Sequence, residues 1–171
     1  MQKGFTILEF LVYATILVLV LFAIGSFLLW TVRVHMKAEA MRETRISSER
    51  VLERMGREIR EAKSIYTPTS VYAEHPGQLS LETSKYALAG DQTSYIDFFL
   101  CESRLCLKKE GEIPIALSPA ALEITRLVFS QIDSGSVRIE LEARRETASE
   151  RPEFQASVSI TTTVSVRSHE E

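Results

Sequence analysis

The sequence predicts an α+β protein in which a long N-terminal helix packs on an antiparallel β-sheet. Three observations predict this class. No charged residue occurs in the 23 positions from Phe10 to Val32. No proline interrupts the chain before Pro68. From Gln78 onward, the hydrophobic pattern changes from helical spacing to the two-residue alternation of strands.

The apolar run is long enough to cross a membrane. At about 1.5 Å per residue, its 23 residues span the roughly 30 Å hydrocarbon core of a bilayer. A secretory signal peptide would have a shorter apolar region followed by a small-residue cleavage site, and no Ala-x-Ala pattern follows this run. We therefore expect residues 5–34 to form a transmembrane helix. Lys3 lies in the short segment before this helix, and a basic residue there predicts a cytoplasmic N-terminus and an exported remainder.

Residues 35–66 are predicted to continue the same helix as an amphipathic segment. Apolar residues recur there at spacings of three and four and must face something apolar: Leu52, Met55, Ile59, Ala62 and Tyr66. Gly56 beside this stripe would permit close approach of another element. Oppositely charged residues four apart on the other face predict ion pairs worth about 0.2 to 0.5 kcal/mol each. They are Arg45/Glu49, Glu53/Arg57, Arg54/Glu58 and Arg57/Glu61.

Residues 67–171 are predicted to form the exported β-sheet domain. We expect one antiparallel sheet packed on the C-terminal half of the helix. Residues 137–143 and 154–167 alternate apolar and polar side chains, which indicates strands with one buried face. Weaker strand candidates are 78–83, 95–101, 105–109 and 125–132. Residues 133–136 are a turn signal, and the polar run 145–153 is a predicted loop.

Two cysteines, Cys101 and Cys106, flank a four-residue segment. If Ser103 and Arg104 form a two-residue turn, Cys101 lies opposite Cys106 where antiparallel side chains come closest. The spacing therefore predicts a cross-strand disulfide, and export would supply the oxidising compartment that it needs. Ser-Arg is a poor turn pair, so a looser loop or two free thiols remains the alternative.

The charge distribution and the scattered histidines argue against nucleic-acid binding, metal binding and catalysis. Residues 1–63 hold 10 Lys/Arg and 7 acids, whereas residues 64–171 hold 10 Lys/Arg and 16 acids. The acidic exported domain argues against nucleic acid as a partner. His35, His75 and His169 show no metal-ligand or catalytic spacing, and we expect all three to be exposed. Asp91 and Asp97 fit no calcium loop. We expect no catalytic residue, metal or cofactor.

Glu9 is the most informative residue, because it places a carboxylate at the start of the apolar run. A carboxylate at bilayer depth costs about 2.5 to 3.5 kcal/mol on insertion scales, so it needs a partner or a function. The stretch Gly4-Phe5-Thr6-Ile7-Leu8-Glu9, with Lys3 before it, resembles the processing site of type IV prepilins and pseudopilins. The alternative is an ordinary signal-anchor helix with this start.

The resemblance implies that a prepilin peptidase cleaves between Gly4 and Phe5, that residues 1–4 are a leader peptide, and that Phe5 is then N-methylated. It also implies assembly with other pilin or pseudopilin subunits, driven by a membrane platform protein with an assembly ATPase. Membrane lipids surround the helix before assembly. The amine of an incoming Phe5 would then neutralise a neighbour's Glu9 in a water-poor filament core, which sets the axial register.

Residues 48–65 are similar to the corresponding segment of the J-type minor pseudopilin of type II secretion and the W-type minor pilin. Major type IVa pilins have a proline midway along the apolar helix, and Gly25-Ser26 stands in that region here. The resemblance therefore implies a minor subunit of an initiating or tip complex in a type IV pilus-like or type II secretion filament. The alternatives are a major filament subunit and a DNA- or ligand-binding pilin. A membrane-anchored enzyme is disfavoured because no catalytic constellation is found.

Overall fold

The computed structural model describes residues 6–87, 92–146, 151 and 154–167. One helix, α1, runs from Ile7 to Glu61. It is followed by β1 (Ser64–Ile65), a 3₁₀ turn (Thr67–Thr69), β2 (Leu79–Thr83), β3 (Ser94–Cys101), β4 (Arg104–Lys109), β5 (Ile115–Ala116), β6 (Leu122–Gln131), β7 (Ser136–Arg145) and β8 (Ser157–Ser165). The predicted α+β class is confirmed.

The strands form two antiparallel sheets, so the prediction of a single sheet is wrong. β1 to β5 pair in sequence order as a five-stranded sheet, and β6, β7 and β8 form a three-stranded sheet. The two are joined where the Ile124 N–H donates to the Ser103 carbonyl at 2.7 Å. The six predicted strands correspond to β2, β3, β4, β6, β7 and β8 with ends shifted by a few residues. β1 and β5 have only two residues each and leave no periodic signal.

The helix ends at Glu61, five residues before the predicted end at Tyr66. Ala62 already has an extended backbone, with φ −69° and ψ 153°. Beyond it, the Lys63 N–H donates to the Glu82 carbonyl at 2.8 Å and the Tyr66 N–H donates to the Ser80 carbonyl at 2.9 Å. The chain leaves the helix because β2 offers these main-chain partners. Tyr66 is half-buried against Tyr95, with ring centroids 4.8 Å apart.

The C-terminal half of α1 packs on the three-stranded sheet. Leu52, Met55, Ile59 and Ala62 are buried, as the stripe predicts, and they join the buried residues of both sheets in one core. On β7, Val137, Ile139, Leu141 and Ala143 are all buried, which confirms the predicted alternation. β8 runs alongside α1 in the same direction. Lys37 bonds the Gln155 carbonyl at one end, and the Arg167 N–H donates to the Arg60 carbonyl at 3.2 Å at the other.

Gly56 lies where the helix meets β8. A Cβ at this position would lie 3.5 Å from Cγ2 of Val164 and 3.2 Å from Nη1 of Arg60. A Cβ would make an ordinary contact with Val164 and a tight one with the Arg60 guanidinium, so the glycine leaves room for the Arg60 side chain rather than for the strand.

Candidate functional site

The N-terminal half of α1 is not buried against the two sheets. Its apolar side chains are largely exposed, and the first buried residue along the helix is Ala40. The span has a mean hydropathy of 2.7 and is long and apolar enough to cross a membrane. Such a surface is costly in water, because each exposed apolar Å² forfeits about 25 cal/mol of transfer free energy. It therefore requires lipid or other apolar helices around it.

Hydroxyl groups within this half are satisfied by the helix itself. Thr15 Oγ1 donates to the Leu11 carbonyl at 2.7 Å, Ser26 Oγ to the Ala23 carbonyl at 3.0 Å, and Thr31 Oγ1 to the Phe27 carbonyl at 2.9 Å. These bonds let the hydroxyls enter a bilayer at low cost. The segment is thus compatible with lipid along its length, apart from the carboxylate near its start.

Glu9 lies in the first turn of α1 and is exposed. Its main-chain N–H donates to Oγ1 of Thr6, the N-cap residue, at 3.3 Å. Thr6-x-x-Glu9 is the pattern of a capping box, a signal in the sequence from which this cap could have been predicted. A carboxylate in the first turn is favoured by the helix dipole. Gly4 and Phe5, the predicted cleavage and methylation residues, lie outside the described residues, as do His169 and Asp91.

The C-terminal half of α1 carries a charge cluster that sequence spacing did not predict. Lys85 Nζ lies 2.6 Å from Oε2 of Glu61 and 3.5 Å from Oε2 of Glu58. The Tyr86 hydroxyl donates to the Glu58 carboxylate at 3.2 Å. The hydrogen bond with Lys85 lowers the pKa of the Glu61 carboxyl and raises the pKa of the Lys85 amine.

Two of the four predicted helix ion pairs are therefore wrong. Arg45–Glu49 at 2.8 Å and Glu53–Arg57 at 3.5 Å form as predicted. Glu58 and Glu61 instead pair with Lys85, because the segment after β2 brings this lysine against the helix. Glu58 is buried, and a buried carboxylate takes the partner that can reach it inside the fold.

Two adjoining clefts of about 470 and 450 Å³ follow this face of the helix. The first is lined by Arg57, Arg60, Glu61, Lys85 and Arg167. The second is lined by Arg50, Glu53, Arg54, Arg57, Glu58 and Lys85. We call the six cations of these clefts, Arg50, Arg54, Arg57, Arg60, Lys85 and Arg167, the basic furrow.

Cys101 and Cys106 are joined in a disulfide, with their Cα atoms 5.8 Å apart. The predicted pairing is wrong, because the turn lies one residue earlier than predicted and the partner of each cysteine is therefore shifted by two residues. Cys101 pairs with Arg104, and Cys106 pairs with Phe99. The turn consists of Glu102 and Ser103 rather than of Ser103 and Arg104. Glu102 has a φ of 57°, a left-handed backbone conformation that tight turns use, so the unfavourable Ser-Arg pair is not needed in the turn. The two cysteines are therefore diagonal neighbours on one face of the hairpin.

No metal site is found in the described part of the chain, where no three His, Cys, Asp or Glu side chains converge. His35 and His75 are exposed as predicted. His75 Nδ1 accepts the Leu127 N–H at 3.1 Å and so supports the edge of β6.

The fold defines a class: an α+β protein with one apolar N-terminal helix that could cross a membrane, whose second half packs on two antiparallel sheets. Comparison with known proteins does not assign the chain to a family within this class. No family model, no curated protein and no solved structure matches the chain.

Proposed function

We propose that this chain is a minor pilin-like or pseudopilin-like structural subunit. It is held in the cytoplasmic membrane by residues 5–34 with its N-terminus inside, and a prepilin peptidase cleaves it between Gly4 and Phe5. It is then drawn by a platform protein and assembly ATPase into a type IV pilus-like or type II secretion filament, within an initiating or tip complex. The proposal rests on the prepilin-like start of the sequence.

One structural observation carries the proposal furthest. α1 is continuous from Ile7 to Glu61. Its side chains are largely exposed before Ala40, and a stripe of them is buried against the sheets after it. A simple anchor needs an apolar helix, but it gains nothing from a carboxylate near the start. A subunit that leaves lipid to pack with sister helices has a use for Glu9, since the cleaved amine of a neighbour can neutralise it where the dielectric is low.

The test changes Glu9→Gln in the full chain, expressed in a host with an active prepilin peptidase and filament machinery. We expect normal insertion and cleavage, with Phe5 as the methylated first residue, and at least about tenfold less chain in sheared filaments, because a desolvated charge pair is lost. Mass spectrometry of the N-terminus and filament immunoblots measure the two steps.

Glu39→Gln is the matched control, because Glu39 is an exposed acid on the same helix. It should assemble normally. The proposal is wrong if the wild-type chain keeps Met1 in that host, or if Glu9→Gln assembles as well as Glu39→Gln.

A further inference from the structure

The basic furrow has more positive charge than its own carboxylates neutralise. Its clefts contain six cations and the three acids Glu53, Glu58 and Glu61. All three acids are already engaged, with Arg57 or Lys85. Within the described residues, Arg50, Arg54, Arg60 and Arg167 make no ion pair. The furrow therefore carries a net charge of about +3.

The fold brings the main chains of two of these arginines, Arg60 and Arg167, together. The Arg167 N–H donates to the Arg60 carbonyl at 3.2 Å, and this main-chain hydrogen bond joins the residues after β8 to the end of α1. Gly56 leaves the space in which the Arg60 guanidinium lies back along the helix, 3.2 Å from the position that a Cβ would occupy. The side chains of Arg60 and Arg167 line the same cleft, and a guanidinium group can bind a carboxylate through two parallel hydrogen bonds.

The position of the furrow excludes lipid headgroups as its ligand. Arg57 follows Val34, the predicted membrane boundary, by 23 residues, which places it about 35 Å along the helix from the bilayer. Headgroup phosphates lie beyond reach, and the Debye length of about 8 Å screens their field. The rest of the exported domain is acidic, since residues 64–171 hold 16 acids, and only 10 Lys/Arg, two of which, Lys85 and Arg167, belong to the furrow.

We propose that the basic furrow docks an acidic segment of a neighbouring subunit, with two or more carboxylates seated between Arg54, Arg60 and Arg167. The identity of this partner rests on the proposed function, but the binding chemistry does not. A contact that joins one face of a subunit to a different face of the next is heterologous, the kind that extends into filaments rather than closing into a dimer. The furrow thereby adds a specific contact to the apolar adhesion of the helices.

The experiment uses the full, unprocessed chain in detergent micelles and a fluorescent hexaglutamate peptide as the probe, with hexaglutamine as its neutral counterpart. Fluorescence anisotropy at low and physiological salt measures binding. We expect hexaglutamate to bind at least about tenfold more tightly than hexaglutamine, with the difference shrinking as salt rises.

The test variant combines Arg60→Glu with Arg167→Glu, and the control combines Arg126→Glu with Arg138→Glu. Both pairs change the charge equally, and Arg126 and Arg138 are exposed on the three-stranded sheet outside the furrow. Only the furrow variant should lose hexaglutamate binding, by about tenfold or more. Thermal unfolding curves establish that both variants are folded.

Three results would overturn the inference. Equal loss in both double variants would mean that overall charge alone attracts the probe. Displacement of hexaglutamate by an equal concentration of inorganic phosphate would identify a free-anion site. Binding that appears only in a Glu170→Gln, Glu171→Gln variant would show that the chain's own acidic end fills the furrow. Because the assay requires neither cleavage nor Glu9, its failure is separate from failure of the proposed function.

Discussion

At the scale of single residues, tertiary contacts decide which charges pair. Sequence spacing places Arg57 four residues before Glu61, yet Glu61 accepts from Lys85 at 2.6 Å. A helix pair between exposed side chains is worth only a few tenths of a kcal/mol, so a lysine that the fold positions nearby can replace it. Residue-level spacing therefore predicted two of four pairs on this helix, and it could not foresee Lys85, which follows Glu61 by 24 positions.

The Glu61–Lys85 contact predicts a pH dependence of stability. Because the folded pKa of Glu61 is lowered by Lys85, its contribution is present above the ordinary carboxyl pKa and is lost as the pH falls through the lowered value. On the alkaline side, the raised pKa of Lys85 maintains the pair until the pH passes that value. Glu61→Gln should therefore melt slightly below wild type at neutral pH, and the gap should close in acid.

Thermal unfolding of the full chain in detergent, followed by circular dichroism, measures this gap. Glu142→Gln is the control, because Glu142 is exposed and makes no ion pair within the described residues. A gap that persists unchanged into acid would contradict the assignment of the effect to Glu61.

At the scale of elements, one helix has two different surroundings. Before Ala40 its apolar residues are exposed, and beyond it a narrow stripe is buried against the sheets. The helical period predicted the stripe up to Ala62 correctly. It placed the end of the helix wrongly, because β2 offers main-chain hydrogen bonds that a local pattern does not reveal. The strand alternation likewise predicted each longer strand but not how the strands divide into two sheets.

Met55→Ala tests the helix–sheet contact. Met55 is fully buried, so truncation should lower the free energy of unfolding by about 2 to 5 kcal/mol through lost packing and a cavity. Met41→Ala is the matched control, because Met41 lies on the same helix and is 42% exposed, and it should change stability by no more than about 0.5 kcal/mol. Urea unfolding in detergent measures both variants, and equal losses would contradict the packing seen here.

At the scale of the whole molecule, the chain divides into a part that needs an apolar environment and a part that makes its own core. The helix up to Ala40 buries almost nothing, whereas residues from Val51 onward build the core with both sheets. The first half is long and apolar enough to cross a membrane, whereas the second half has a core of its own. The Cys101–Cys106 disulfide lies in the second half.

The proposed topology predicts which engineered thiols an impermeant maleimide reaches in intact spheroplasts. Thr163 is exposed on β8, so Thr163→Cys should be labelled from outside. In a host without prepilin peptidase, where residues 1–4 stay attached, Gln2→Cys should be labelled only after the membrane is opened, because Lys3 retains the short N-terminal segment in the cytoplasm. The reverse pattern in the two variants would mean that the helix is inserted in the opposite direction.

Local pattern in the amino-acid sequence was enough to predict the membrane-length helix, its buried stripe, the alternating strands and the cysteine pair. Each of these features depends on the spacing of side chains along a few helical turns or one strand. The split into two sheets, the end of α1, the pairing of Glu58 and Glu61 with Lys85, and the main-chain contact of Arg60 with Arg167 became visible only in the folded chain. These features join residues distant in the chain, and their partners are selected by the packing of the core as a whole rather than by the spacing of neighbours.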